Sequence, residues 1–138
     1  MYLLDTDTII FSLKGHAAVE KNLRSHLHDP MKVSVITLME LYYGAYKSQK
    51  VESNLAKIKT LETSLEIITL GKESVEIFGI YKVKLEKVGS PLDDFDLILG
   101  ACALAHNLVL VTNNVKHFQR IEGLKLTNWT AYPESLNP

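Results

Sequence analysis

Residues Tyr2–Phe11 read YLLDTDTIIF. Three apolar or aromatic residues run straight into Asp5, a second acid follows at Asp7, and apolar sequence resumes at Ile9. A short buried-type strand over Tyr2–Leu4 followed by a helix from Thr6 explains the apolar residues, but it leaves two carboxylates where a small protein builds its core. An ionised carboxylate is costly to desolvate unless a cation compensates it. What that cation is decides how the chain is read.

The rest of the sequence supplies the frame. Gly15 ends the first helix, predicted over Thr6–Lys14, and Ala17–Leu27 has helical spacing up to the turn at His28-Asp29-Pro30. KVSVI, Lys32–Ile36, is short and rich in β-branched residues, hence a strand. TLMELYYGAYKS, Thr37–Ser48, then shifts to the helical period, and Val51–Glu62 gives another amphipathic helix. Leu65–Leu70 reads as a strand, Lys72–Val88 as a long lysine-rich helix, and Asp94–His106 as a strongly apolar helix. LVLVT, Leu108–Thr112, is a strand buried on both faces, and Lys125–Thr127 a last short strand. Strands that alternate with helices imply an α/β domain, with a mainly parallel sheet of four to five strands flanked by helices.

The 138 residues suit one domain spanning 1–138, with an irregular tail from about residue 130. A net charge of −1 excludes a chain that is basic throughout, though not local basic faces. The lone Cys102 permits neither an internal disulfide nor a cysteine zinc site, and reads as a small core residue. No apolar run is long enough for a membrane span, and no basic leader with a cleavage site is present, so a cytoplasmic location is expected.

In parallel sheets, sites lie beyond the C-terminal ends of the strands. Asp5 closes the first strand, Thr37 and Glu40 begin the helix after KVSVI, and Thr112, Asn113 and Asn114 follow LVLVT. Asp93, Asp94 and Asp96 open the apolar helix that leads into that strand. Each acid has a plainer explanation. Asp5 suits a helix N-cap, Asp7 the positive end of that helix, and Asp93 and Asp94 a cap and first turn. Asp96 and Glu40, flanked by apolar neighbours, are harder to explain as surface charge. Carboxylates gathered at low dielectric repel, so they share protons or bind a cation. Mg²⁺ prefers oxygen ligands and keeps several waters, which suits phosphodiester hydrolysis.

LLDTDTII, VSVITLMELYYGAYKS and GSPLDDFDLILGACALAHNLVLVTNNVKHFQRIEGLKLTNW together resemble the VapC-type toxins of bacterial toxin–antitoxin pairs, which are PIN-domain ribonucleases. The first stretch alone is a weak signal, whereas the ordered set is specific and runs from Met1 to about Trp129. The resemblance implies a PIN-like fold and metal-dependent cleavage of RNA phosphodiester bonds. Its acids fall on Asp5, Glu40 and Asp96, which would be catalytic and hold Mg²⁺, with Mn²⁺ a substitute. Asp5 and Asp96 would hold one ion, and Glu40 would bind a second or orient the attacking water. Thr6, Asp7, Thr112 and Asn114 match supporting positions. Asn114 stands where the family often has another Asp, and brings no charge. Lys116 and Arg120, from a wider basic set of Lys47, Lys50 and His117, are candidate RNA contacts. The resemblance also implies a homodimer and a VapB-like antitoxin, the complex binding operator DNA. Tyr42, Tyr43 and Tyr46, of which the fold would bury one or two, would line one of those protein surfaces.

Three rivals remain at the level of sequence. DTDT also fits the DxDxT signature of haloacid-dehalogenase-type phosphatases, with Asp5 the nucleophile, but there the late acids follow a strand, and here they follow a lysine-rich helix. A response-regulator receiver shares the early acids, yet LEIITLGK carries no phosphoacceptor Asp. A non-catalytic protein-binding module is the other alternative.

Overall fold

The computed structural model describes residues 1–131, so the expected irregular tail lies, from residue 132 on, outside the described residues. Five strands form one parallel sheet: β1 (Tyr2–Leu4), β2 (Met31–Ser34), β3 (Glu66–Ile68), β4 (Val109–Val111) and β5 (Leu126–Thr127), in the order β3-β2-β1-β4-β5. The chain lays down β1 to β3 toward one edge, then returns to the other side of β1 with β4. The order therefore reverses between β1 and β4, where open α/β sheets bind their ligands.

Seven helices connect the described strands: α1 (Thr6–Leu13), α2 (Ala17–Ser25), α3 (Val35–Lys47), α4 (Val51–Glu62), α5 (Lys72–Lys87), α6 (Asp94–Ala105) and the single turn α7 (Val115–Phe118). Side-chain alternation along the strands splits the core in two. Leu3 and Leu110 point to a cluster with Leu85, Leu97, Leu99, Cys102 and Phe118, under α5 to α7. Leu4, Val33 and Val111 point to the other face, with Ile9, Leu41, Ala45, Ile58 and Trp129, under α1, α3 and α4. β1 and β4 are buried on both faces, which is why both read as nearly continuous apolar runs.

The differences from the expected elements have local causes. β2 stops at Ser34, two residues early, because the Ser34 hydroxyl accepts the Ile36 N–H at 3.2 Å and caps α3. Val35 and Ile36 are β-branched but join the helix, where Ile36 is buried. Thr37 therefore lies inside α3, fully buried. Gly15, at φ +77°, closes α1 in the left-handed conformation that glycine adopts without strain. Asn107 does the same for α6 at φ 52°, and the Leu108 N–H bonds back to Ala103, which turns the chain directly into β4. The helix α7 was not foreseen; four residues carry too little periodicity to be read.

Candidate active site

Asp5 sits where β1 becomes α1. Its backbone N–H still pairs with the Val111 carbonyl of β4 at 3.0 Å, while its carboxylate caps α1 by accepting the Thr6 N–H at 2.6 Å. The other carboxylate oxygen accepts the Thr112 hydroxyl at 2.7 Å, from the residue just past β4. The N-cap explanation is thus correct for Asp5 but incomplete, because one oxygen serves the helix and the other faces the switch point. Asp5 is only 6% exposed, and burial, its largest perturbation, pushes its pKa up to about 6. The Thr112 and Thr6 hydrogen bonds oppose that shift, and the negative charges of Asp7 and Asp96 add to it.

Asp96 arrives from the first turn of α6, immediately before the largely buried Leu97–Ala103 segment. It is half-buried, and its carboxyl is also raised, first by desolvation, then by the Asp93 charge, with a smaller contribution from Asp7. The His117 ring of α7 tempers the rise; its Nδ1 lies 3.7 Å from Asp96 Oδ2, beyond hydrogen-bond range but close for a charge. Asp94 turns away to pair with Lys82 of α5 at 3.0 Å, as a first-turn surface charge does. Asp93 holds the N-cap position of α6 without making a side-chain cap bond.

Two smaller bonds complete the edge. Asn114 donates from Nδ2 to Asp7 Oδ2 at 3.1 Å, and its backbone N–H donates to the Thr112 hydroxyl at 3.0 Å. The Thr6 hydroxyl donates to Glu40 at 2.8 Å. Glu40 itself is exposed, contrary to the buried setting its apolar neighbours suggested, because the face of α3 it shares with Met39 and Tyr43 turns outward. Asp5, Asp7 and Asp96 thus act on one another electrostatically, whereas Glu40 joins them only through Thr6.

The basic candidates separate. Lys116 is exposed on α7. Arg120 is exposed too, but its guanidinium donates to the Pro91 carbonyl at 2.7 Å, bracing the loop before α6. His117, seen in the sequence only as part of a basic rim, is the group that faces Asp96; three residues past Asn114, it needed α7 to bring it there. Of the tyrosines, Tyr42 is half-buried and bonds Glu62 at 2.5 Å, while Tyr43 and Tyr46 remain exposed.

The donor set bears on a metal. Among the described residues, no three acidic, histidine or cysteine side chains close into a complete cage. Mg²⁺ does not ask for one: it dehydrates reluctantly and is held by one or two carboxylates with waters completing the octahedron. Two partly desolvated carboxylates with raised pKa values, Asp5 tempered by the Thr112 and Thr6 hydrogen bonds and Asp96 by the His117 imidazole, fit a hydrated dication.

A parallel sheet with carboxylates and hydroxyls at its switch point is the frame of the PIN domain, and the PIN domain family model matches residues 2–124. The chain belongs to that family, and within it to the VapC ribonucleases. It is 33% identical over 129 residues to the tRNA(fMet)-specific endonuclease VapC of Shigella flexneri, covering 94% of this chain and 98% of the relative. It is 35% identical over 131 residues to ribonuclease VapC2 of Rickettsia felis, with 94% and 98% covered. Among solved structures, VapBC2 of Rickettsia felis bound to a DNA fragment from its promoter matches with a TM-score of 0.87 and 35% identity, over 93% of this chain and 98% of that one. The phosphatase alternative falls with the topology, because α6 and its acids follow helix α5 and not a strand. Among the described residues no helix is long and apolar enough to cross a membrane.

Proposed function

We propose that this chain is the toxin of a toxin–antitoxin pair and that its sheet-edge site hydrolyses RNA phosphodiester bonds with Mg²⁺, for which Mn²⁺ substitutes. Asp5 and Asp96 hold the ion, and Glu40, reached through the Thr6 hydroxyl, orients the attacking water. The ion supplies a nucleophilic water at neutral pH and a counter-charge for the phosphate oxygens. The protein's own part is positional. Thr112 and the Thr6 N–H keep the Asp5 carboxylate aimed and anionic, the α6 helix fixes Asp96, and Asn114 steadies Asp7. Lys116, exposed on α7, draws the phosphate backbone toward an acidic centre, and Arg120 holds the loop beside it. The observation that carries the proposal is the buried Asp5 carboxylate, held at the switch point by the Thr112 hydroxyl and the Thr6 N–H, with the half-buried Asp96 close enough for its charge to act on it.

The relatives extend the reading to partners. Their solved forms are VapBC complexes, two of them bound to DNA. A VapB-like antitoxin, a homodimeric toxin, operator binding by the complex and a cytoplasmic setting follow by that likeness. The whole of residues 1–138 then serves as one PIN domain. Relatives from Shigella and Salmonella carry tRNA(fMet) in their names, so that transfer RNA is the first substrate to test.

Purified protein, freed of antitoxin, should cleave tRNA(fMet) in Mg²⁺ or Mn²⁺ and stop in EDTA, and Asp5→Asn should abolish cleavage. Metal-independent cleavage, or full activity in Asp5→Asn, would overturn the assignment. A complete lack of cleavage on any cellular RNA would favour the non-catalytic binding module.

A further inference from the structure

The ladder of β4 and β5 ends with Val111 beside Thr127, and the Thr112 N–H still donates to the Thr127 carbonyl at 2.9 Å. Asn113 and Asn128 therefore leave neighbouring strands together, at the sheet edge that carries Asp5. Thr112 and Asn114, on either side of Asn113, are both tied into the site, the one to Asp5 and the other to Asp7. Asn113 is exposed, and its Oδ1 accepts from Asn128 Nδ2 at 3.4 Å, with the Thr130 hydroxyl 3.5 Å away. Asn128 is held in turn by the Thr130 N–H and hydroxyl, which donate to its Oδ1 at 2.9 and 2.8 Å. That turn at Asn128 has a structural use, since it accompanies the entry of Trp129 into the core. Asn113 is different. No described residue accepts from its Nδ2, so two amide hydrogens stand unused at the rim of the site.

Charge along the rim favours one occupant. On the α3 side the exposed Glu40 repels phosphate. On the β5 side α7 brings Lys116 and the His117 ring, and Asn113, Asn128 and Thr130 add hydrogen-bonding groups without charge. An RNA strand reaching Asp5 is thus drawn across the β5 side. Sequence is read from RNA through hydrogen bonds to the edges of unpaired bases. We propose that Asn113, ordered by Asn128 and Thr130, reads an unpaired RNA base beside the phosphodiester at Asp5. This rests on the ribonuclease reading of the site and adds to it a direction of approach and a residue that chooses among bases. Because Oδ1 is already engaged, the free donors favour keto oxygens, as on uracil and guanine, over the amino groups of adenine and cytosine.

The test is fluorescence anisotropy with short labelled oligo-U, oligo-A and oligo-C RNAs, titrated with the full chain in EDTA so that metal-dependent cleavage does not consume the probe. Wild type should prefer oligo-U. Asn113→Ala should weaken oligo-U binding by about threefold to tenfold, the scale of one or two lost hydrogen bonds, and leave the other two within about twofold. Its salt dependence should match wild type, whereas Lys116→Ala should weaken all three RNAs alike and lower the salt slope by about one. Asn113→Asp keeps the acceptor that holds Asn128 and removes both donors, so it should abolish the preference even if Asn113→Ala disturbs the turn. Equal weakening of all three RNAs in Asn113→Ala, a preference retained in both variants, or no preference in wild type would overturn the proposal. The cleavage assay with Asp5→Asn reports on the ribonuclease reading separately. A wild type that cleaves RNA while the Asn113 variants keep its base preference defeats only the role of Asn113; a wild type that neither binds nor cleaves RNA defeats both.

Discussion

Helix α6 contains two regions of opposite character. Its first turn carries Asp94 and Asp96, one paired outward with Lys82 and one held half-buried against like charges. From Leu97 to Ala103 it becomes apolar and small, and Leu97, Leu99, Ala101, Cys102 and Ala103 are all 2% exposed or less. β1 repeats the contrast over a shorter span, since Leu3 and Leu4 are buried in the two cores and Asp5 follows at once. The acids oppose folding and the segments behind them favour it. The site exists because each carboxylate is attached to an element whose stability is generated elsewhere. Substitutions in the two regions should therefore change stability in opposite directions.

The largest effect should come from the packed region. Leu99→Ala removes a side chain that is 2% exposed beneath the sheet, and should lower unfolding free energy by about 2–5 kcal/mol. Urea titration would show a lower midpoint at unchanged slope. A loss under about 1 kcal/mol would mean that α6 is not anchored by this face, and the contrast would dissolve.

Much of this was legible in the sequence because it follows from period and order. LVLVT and YLL carry the signature of strands buried on both faces, and acids placed after strands fall at one edge once the sheet is parallel. What escaped was set by single contacts. Nothing in KVSVI announces that the Ser34 side chain will cap the next helix and take Val35 and Ile36 with it. LMELYY surrounds Glu40 with apolar letters, yet the 100° step between helix neighbours turns Glu40 outward and leaves Leu41 in the core. The pairing of Asp7 with Asn114 joins residues 107 positions apart, which no local pattern encodes.

The acidic region should respond with the opposite sign, and to pH. In metal-free protein the folded-state pKa of Asp5 is about 6, above its value of 3.8 when solvated. The folded state then binds more protons than the unfolded one between those values, so ionised Asp5 opposes folding above pH 6. The penalty is on the order of 3 kcal/mol, and it fades as pH falls through 6 toward 4. Asp5→Asn should accordingly be more stable than wild type at pH 7 in EDTA, with the gap closing by about pH 4. Comparing the two proteins isolates Asp5 from the other carboxylates that titrate in the same range. A constant gap across that window would mean the carboxylate is not strained by its surroundings. Saturating Mg²⁺ should narrow the gap at pH 7, since an ion that binds only the folded wild type stabilises it by mass action.

The smallest effect comes from two glycines that mark the limit of the packed region. Both lie inside helices, so in isolation Ala would favour each by about 0.5–1 kcal/mol. At Gly79, exposed on α5, an added Cβ meets nothing within 4 Å, and Gly79→Ala should gain that amount. At Gly100, on α6, the same Cβ would lie 2.4 Å from Ile121 Cδ1, with Leu124 and Phe118 close behind at 3.6 and 3.7 Å. Ile121 is itself buried in the packed cluster with Phe118, so making room for the methyl disturbs that packing, and Gly100→Ala should lose about 1–3 kcal/mol through overpacking. The two variants are chemically identical, and the sign difference, read as Tm shifts in opposite directions, reports the tightness of the face that fixes Asp96. If Gly100→Ala gained stability as Gly79→Ala does, α6 would have room to move over the sheet, and the placing of Asp96 would have to come from its own first turn and from His117.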